Sequence, residues 1–383
     1  MLTHLLNTED LTRNAPRQRR LWHDSACHPP SLGCTRCPDR KVCGGLQIEH
    51  AVFDCLSFCC HDPGHCDAVC RNKPDEFARR VREVGGFLFD NVPRTQTLDA
   101  PPLPPLVPIL FHGNKRTAPF GAAEAVCLPL YKVVHRQSGE PRYTSPLGLA
   151  EAFKIPRCVP VILTGTAPDP PLERWWSLGS QRREAIRAMR GLGIKLVTTP
   201  NYSLFIDQPR WDDLHSMKRI ALVHEEFLSE GLPAALHLNA RTDRDWSRWR
   251  DYVAARPEVT HIAFEFTTGA GCVERSQWHV DRLVQLAATV NRPLHLVVRG
   301  AGKVLSTLLT QFSAITLLET SAFIKTIHRR RATLTATNVL NWRLALTKSD
   351  ATLDTLLVEN WQVIAASYAT VLHPRAPSLQ AVI

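Results

Sequence analysis

The 383-residue chain predicts an α/β protein built on a (β/α)8 barrel of the TIM type, with an N-terminal cysteine-rich metal-cluster module and C-terminal helices. Three observations carry this. From residue 107 onward, eight apolar, β-branched runs recur, most followed by a polar turn and a helical pattern, the order of parallel strands joined by helices. Nine of the twelve cysteines fall between Cys27 and Cys70, ahead of the first run. After the last run, the segment 331–383 reads as amphipathic helix.

Taken in order, residues 1–92 form the cysteine-rich module, ending in a short helix over "PDEFARRVREVGGF". Residues 93–108 hold prolines at 101, 102, 104, 105 and 108, which forbid regular helix and predict a linker. The barrel spans 109–330, and its strands are expected at 107–111, 125–130, 159–163, 194–199, 234–239, 261–266, 293–298 and 314–319. Between the first two lie Gly113, Pro119 and Gly121, which leave little room for a helix and predict a distorted or incomplete barrel. Ser145 is an N-cap candidate followed by Pro146 at the first helical position, and "SQRREAIRAMRGLG" ends on glycines. In the C-terminal segment, "NVLNWRLAL" and "LDTLLVENWQVIAASYATVL" are both read as helical and amphipathic, packing on the barrel or docking a protein partner.

Composition narrows the function. The opening residues carry acids and arginines rather than a signal peptide, and no apolar run reaches the roughly 18 residues of a membrane span, so a soluble cytoplasmic protein without a membrane partner is expected. In a reducing compartment, clustered cysteines predict metal ligation rather than disulfides. Lys and Arg exceed Asp and Glu by ten, which permits a polyanionic partner, nucleic acid or nucleotide. The excess lies C-terminally, at Lys325, Arg329, Arg330, Arg331, Arg343 and Lys348. Arg183, Arg187 and Arg190 share one helix face and are read as a solvated outer surface.

Cys27, Cys34, Cys37 and Cys43 are separated by six, two and five residues. Prolines and Gly33 between them favour turns that aim four sulfurs inward. A second group offers Cys55, Cys59 or Cys60, Cys66 and Cys70. One or two [4Fe-4S] clusters are expected, with tetrahedral zinc as the alternative. The first spacing resembles the iron–sulfur cluster loop of the endonuclease III and adenine glycosylase family. That resemblance covers 17 residues and implies a ligand set, not the glycosylase fold. Cys127, Cys158 and Cys272 stand apart and read as small buried residues.

In barrel enzymes, chemistry sits at the C-terminal ends of the strands. Glu265 interrupts an apolar strand there, where a buried carboxylate needs a partner, and Arg241 or Arg299 is expected to supply it. After the fourth strand, "TTPNYSLFIDQPRWDDLH" offers Asn201 and Asp207, with Tyr202, Phe205 and Trp211 as aromatic surfaces for a base. Asp212 and Asp213 read as helix-start residues. The "TPNYSLF" stretch resembles a loop of barrel proteins from phages and mobile elements, and barrels of the tRNA-guanine transglycosylase type are similar in architecture; neither resemblance transfers an activity. After the seventh strand, Gly300, Gly302 and Lys303 open a helix and, with Thr320 and Ser321 after the eighth, form a candidate phosphate cradle. The expected function is a base- or nucleotide-modifying iron–sulfur enzyme. The alternatives are a non-catalytic nucleic-acid-binding component of a larger complex, and a redox or radical enzyme.

Overall fold

The computed structural model describes residues 74–99, 102–135, 138–204, 210–267, 273–302, 304–346, 348 and 351–372. The eight expected strands form as β1 (Leu106–Pro108), β2 (Val126–Pro129), β3 (Val161–Thr164), β4 (Leu196–Thr198), β5 (Ala234–His237), β6 (His261–Glu265), β7 (His295–Arg299) and β8 (Ala314–Glu319). All pair in parallel, in the order β1-β8-β7-β6-β5-β4-β3-β2. Between β1 and β2 a bridge joins Ile109 to Cys127, and the Leu110 N–H donates to the Cys127 carbonyl at 2.9 Å, so the sheet is a nearly closed barrel.

The expected distortion lies where the glycines and prolines placed it. Residues 112–124 form a loop rather than a helix, held by the Arg116 guanidinium, which donates to the carbonyls of His112, Phe153 and Lys154. Elsewhere helices follow the strands: α1 (Pro74–Val84) precedes the barrel, and α2 (Leu130–Val133), α3 (Pro146–Phe153), α4 (Asp169–Ser177), α5 (Gln181–Gly191), α6 (Arg210–Ser229), α7 (Asp243–Ala254), α8 (Val273–Val290), α9 (Leu305–Leu309), α10 (Ser321–Ile327) and α11 (Asp354–Leu372) come after. Ser145 caps α3 as expected, its hydroxyl accepting from the Gly148 N–H at 3.1 Å. The guanidiniums of Arg183 and Arg187 reach Glu225 and Glu230 at 3.1 and 2.8 Å, and Arg190 donates to the Glu230 carbonyl at 2.9 Å. The expected solvated face therefore bolts α5 to α6.

Residues 74–92, read as part of the cysteine-rich module, share the barrel's outer core through Phe77, Val84, Phe87 and Val92. Lys218 on α6 donates to the Leu88 carbonyl and the Asn91 amide oxygen, and Arg94 makes a two-bond pair with Glu258 at 2.8 and 3.0 Å. The proline-rich stretch is likewise more than a linker. It contains β1, while Leu103 packs against the barrel lumen, and the Thr316 hydroxyl donates to the Pro104 carbonyl. The strap thus covers the N-terminal end of the barrel, opposite the end where loops build sites.

One element differs in kind. "NVLNWRLAL" was expected to be helical, but β9 (Arg330–Leu334) and β10 (Leu340–Leu344) form an antiparallel ribbon. Asn338 turns the chain at φ +60, and Leu340 and Trp342 pack against the core while Asn341 and Arg343 are exposed. That is a period of two, not 3.6. The second expected helix forms as α11 and covers the loop that replaces a first barrel helix: Asp354 accepts from the Thr117 and Ala118 N–H groups, and the Trp361 indole donates to the Ala122 carbonyl at 3.0 Å.

Among the described residues, no helix is long and apolar enough to cross a membrane.

Candidate active site at the barrel mouth

Side chains alternate along a strand, so lumen-facing positions recur every second residue. Ile162, Leu196, Ala235, Ala263 and Val297 belong to one buried apolar cluster inside the barrel, with Ile109, Cys127 and Leu318. Two residues further along β3 to β7, the same face presents Thr164, Thr198, His237, Glu265 and Arg299. Five consecutive strands therefore change from apolar to polar as they reach the C-terminal mouth. A polar group in such a place costs free energy unless partnered, so each partner matters.

Glu265 is buried, 7% exposed. One carboxylate oxygen lies 3.4 Å from the Arg299 guanidinium; the other accepts from the Thr267 N–H at 3.1 Å and from the Thr267 hydroxyl. Burial pushes its pKa up, and Arg299 and the Thr267 bonds only partly oppose that. The result is a carboxyl group readier to hold a proton than a surface glutamate. Arg299 is partly exposed, at 24% of its side chain, and spans from the lumen toward the opening.

His237 lies on β5, beside the strand that carries Glu265. It is buried, and burial lowers its pKa to about 3, so it is a neutral imidazole at physiological pH. Neither ring nitrogen has a hydrogen-bond partner among the described residues. Beneath this ring of polar groups, burial raises the Cys127 thiol, against the opposing influence of Arg299. Cys127 is therefore a protonated, packed residue, as expected of it, whereas Cys158 is exposed rather than buried.

Of the two arginines expected beside Glu265, Arg299 is the one that pairs. Arg241 turns to Asp213 at the start of α6 instead, at 2.9 Å, with both side chains buried. Asn201 accepts from the Ala167 N–H at 3.1 Å and so ties the loop after β4 to the loop after β3. Tyr202 and Trp211 are buried in the outer core, Tyr202 under the Arg219 guanidinium and Trp211 edge-on to Phe77. Neither offers a face to a base, which corrects the aromatic reading for these two residues.

The Thr320–Ser321 half of the phosphate cradle is occupied from within. The Ser321 and Ala322 N–H groups donate to the Glu319 carboxylate at 2.7 and 2.8 Å, so an internal anion occupies the start of α10 beside Thr320. Gly300 has φ +75, and a Cβ there would stand 2.2 Å from the Thr267 methyl. Its glycine serves the close approach that holds Thr267 onto Glu265. A Cβ on Gly302 would lie 3.1 Å from the Tyr368 hydroxyl oxygen.

Asp207, Phe205, Lys303, Cys272 and the nine clustered cysteines, Cys27, Cys34, Cys37, Cys43, Cys55, Cys59, Cys60, Cys66 and Cys70, lie outside the described residues. Among the described residues, no group of three or more His, Cys, Asp or Glu side chains could hold a metal ion. His237 and Thr198 are mouth residues that the apolar look of their strands concealed. Counting in twos from Ala235 and Leu196 would have found them. Asn239 and Thr199 are committed to the backbone, Asn239 donating to the Tyr202 carbonyl and the Thr199 hydroxyl accepting from the His237 N–H.

No family model matches the chain, and no curated protein matches it either.

Proposed function

We propose that the chain is an enzyme that modifies a nucleotide, or a base within nucleic acid, at the C-terminal mouth of its barrel. Glu265 is the general acid or base, and Arg299 anchors an anionic part of the ligand. The observation that carries this reading is the buried Glu265 carboxyl, its pKa raised by burial, held by Thr267 and Arg299 within a ring of polar lumen residues. Burial brings a carboxyl's pKa toward the operating pH, where proton transfer is most effective. The net charge of +10 favours a polyanionic ligand. Asp207 is the proposed second carboxylate.

Two variants test the site. Glu265→Gln should lower turnover of a nucleic-acid substrate by about 10²- to 10⁴-fold while nucleotide binding persists, measured by mass spectrometry of the treated oligonucleotide. Arg299→Met should weaken mononucleotide binding by roughly 10- to 100-fold, the loss of one charged hydrogen bond. Unchanged turnover and binding in both variants would sink this assignment of the site, and a wild type that binds nucleic acid without turning it over would leave a non-catalytic binding component.

The N-terminal cysteines are proposed to hold one or two [4Fe-4S] clusters, which places the protein in a reducing, cytoplasmic setting. Cys59 and Cys60 are adjacent, so one of them ligates while the other packs. Protein purified without oxygen should be brown and contain about four or eight iron atoms per chain. A colourless, zinc-loaded preparation would replace the clusters with zinc and leave the Glu265 reading standing.

A further inference from the structure

Between Lys325 and Lys348 the chain carries six Lys and Arg and no Asp or Glu. The β9–β10 ribbon carries half of this charge, at Arg330, Arg331 and Arg343. Its inner strand is fastened: the Ala332 N–H donates to the Asn360 side-chain oxygen at 2.7 Å, and the Asn360 amide donates to the Arg330 carbonyl at 2.8 Å. Strand β10 is the outer edge of this two-stranded sheet. Alternation turns Ala332 and Trp342 toward the body and Arg331, Thr333, Asn341 and Arg343 away from it.

Arg331 and Arg343 are direct cross-strand partners. Like charges placed so destabilise a ribbon. Arg331 has one exposed partner, Glu359 at 3.4 Å; Arg343 has no acidic partner among the described residues. Arg330 and Lys348 are also exposed. This arrangement is relieved by an anion from outside. The charges spread along strands about 15 Å long, more than one phosphate spans, so a chain of phosphates fits better than a single one. The hydroxyl of Thr333 and the amide of Asn341 are the uncharged groups that accompany arginine on a sugar–phosphate backbone. Exposed Val339, Leu344 and Leu346 add apolar surface for unstacked bases.

The ribbon also adjoins the mouth. Asn338 at its turn donates to the Ser367 carbonyl at 3.2 Å, and the next residue, Tyr368, places its hydroxyl against Gly302 in the loop after β7. We propose that the β9–β10 ribbon grips the phosphodiester backbone of a nucleic acid and leads it to the barrel mouth. This rests on the preceding reading for the identity of the substrate, while the grip itself stands on the ribbon's charge.

The test measures binding of a labelled oligonucleotide to the full chain across a salt series, single-stranded in one arm and duplex in the other. The double variant Arg331→Glu with Arg343→Glu should weaken binding at least tenfold, and neutral Arg331→Gln with Arg343→Gln should lower the salt slope by about two. Mononucleotide binding at the mouth should not change. If charge reversal lowers the melting temperature, Arg343→Gln alone decides, because that exposed side chain has no acidic partner to lose; its slope should fall by about one. Equal affinity and slope in wild type and variants, or a wild type that binds neither oligonucleotide, would overturn the proposal. Oligonucleotide binding that depends on the ribbon, without mononucleotide binding at the mouth, would keep the ribbon and remove the nucleotide-enzyme reading.

Discussion

Asp213→Ala should destabilise the fold by about 3–5 kcal/mol, the cost of removing one partner from a buried ion pair. Asp213 sits in the first turn of α6, and its carboxylate meets the Arg241 guanidinium from the loop after β5 at 2.9 Å, with side-chain exposures of 1% and 6%. The intact pair is worth little over an apolar replacement, because two desolvated charges offset most of their attraction. Losing one charge leaves the other buried without this partner. Urea denaturation measures the effect, and a companion variant separates pairing from packing: Asp213→Leu with Arg241→Met should recover most of the loss. An Asp213→Ala midpoint equal to wild type would mean that Arg241 is held by other groups or by water, and would overturn the prediction. The pair joins the start of α6 to the loop after β5 at the mouth.

The barrel was legible because its strands are buried on both faces and read as unbroken apolar runs, each of which appears within two or three residues of its expected limits. The gap between the first two strands was legible for a different reason. Gly113, Pro119 and Gly121 cannot make a helix of useful length, and the loop there proved to be one. What covers that loop was not legible, since the Trp361 indole meets the Ala122 carbonyl across 239 residues of sequence. The ribbon failed for lack of context: "NVLNWRLAL" has apolar residues that suit a helical period as well as an alternating one, and only packing against α11 selects the strand.

The site shows the same division. Glu265 announced itself as a charge inside an apolar strand, and Arg299 as a charge at the end of the next one. His237 did not, because a histidine inside "AALHLN" is a common sight until the barrel closes and leaves both its ring nitrogens without partners. The cradle at Thr320 and Ser321 looked open because sequence shows backbone N–H groups at a helix start but not what they bind. Glu319, one residue earlier, takes them. Its role there follows from the general preference of helix starts for carboxylates.

Acid should unfold this protein well before its carboxylates are fully protonated, because several histidines are buried neutral. Burial lowers His224, His261 and His295 from 6.5 to about 4, His237 to about 3 and His215 to about 2, and pushes His279 well down. The His261 ring, stacked on His295 with centroids 4.8 Å apart, also disfavours charge on His295. In the unfolded chain each takes a proton as pH falls below 6.5, while the folded chain does not. Stability is therefore whole above pH 6.5 and falls by about 1.4 kcal/mol per pH unit for each such histidine between there and its folded pKa. The raised carboxyls of Asp212, Glu225 and Glu265 act the other way, binding protons earlier in the fold, but they are fewer. Against a total stability of about 5–15 kcal/mol, the histidines alone bring unfolding to about pH 5. Tryptophan fluorescence against pH measures the midpoint. His279→Phe keeps a ring among Trp246, Phe264 and Trp278 while removing one proton site, so it should reduce the pH slope by about one proton and move the midpoint to lower pH. A wild type still fully native at pH 4 would show that these imidazoles reach solvent or find buried anions when charged.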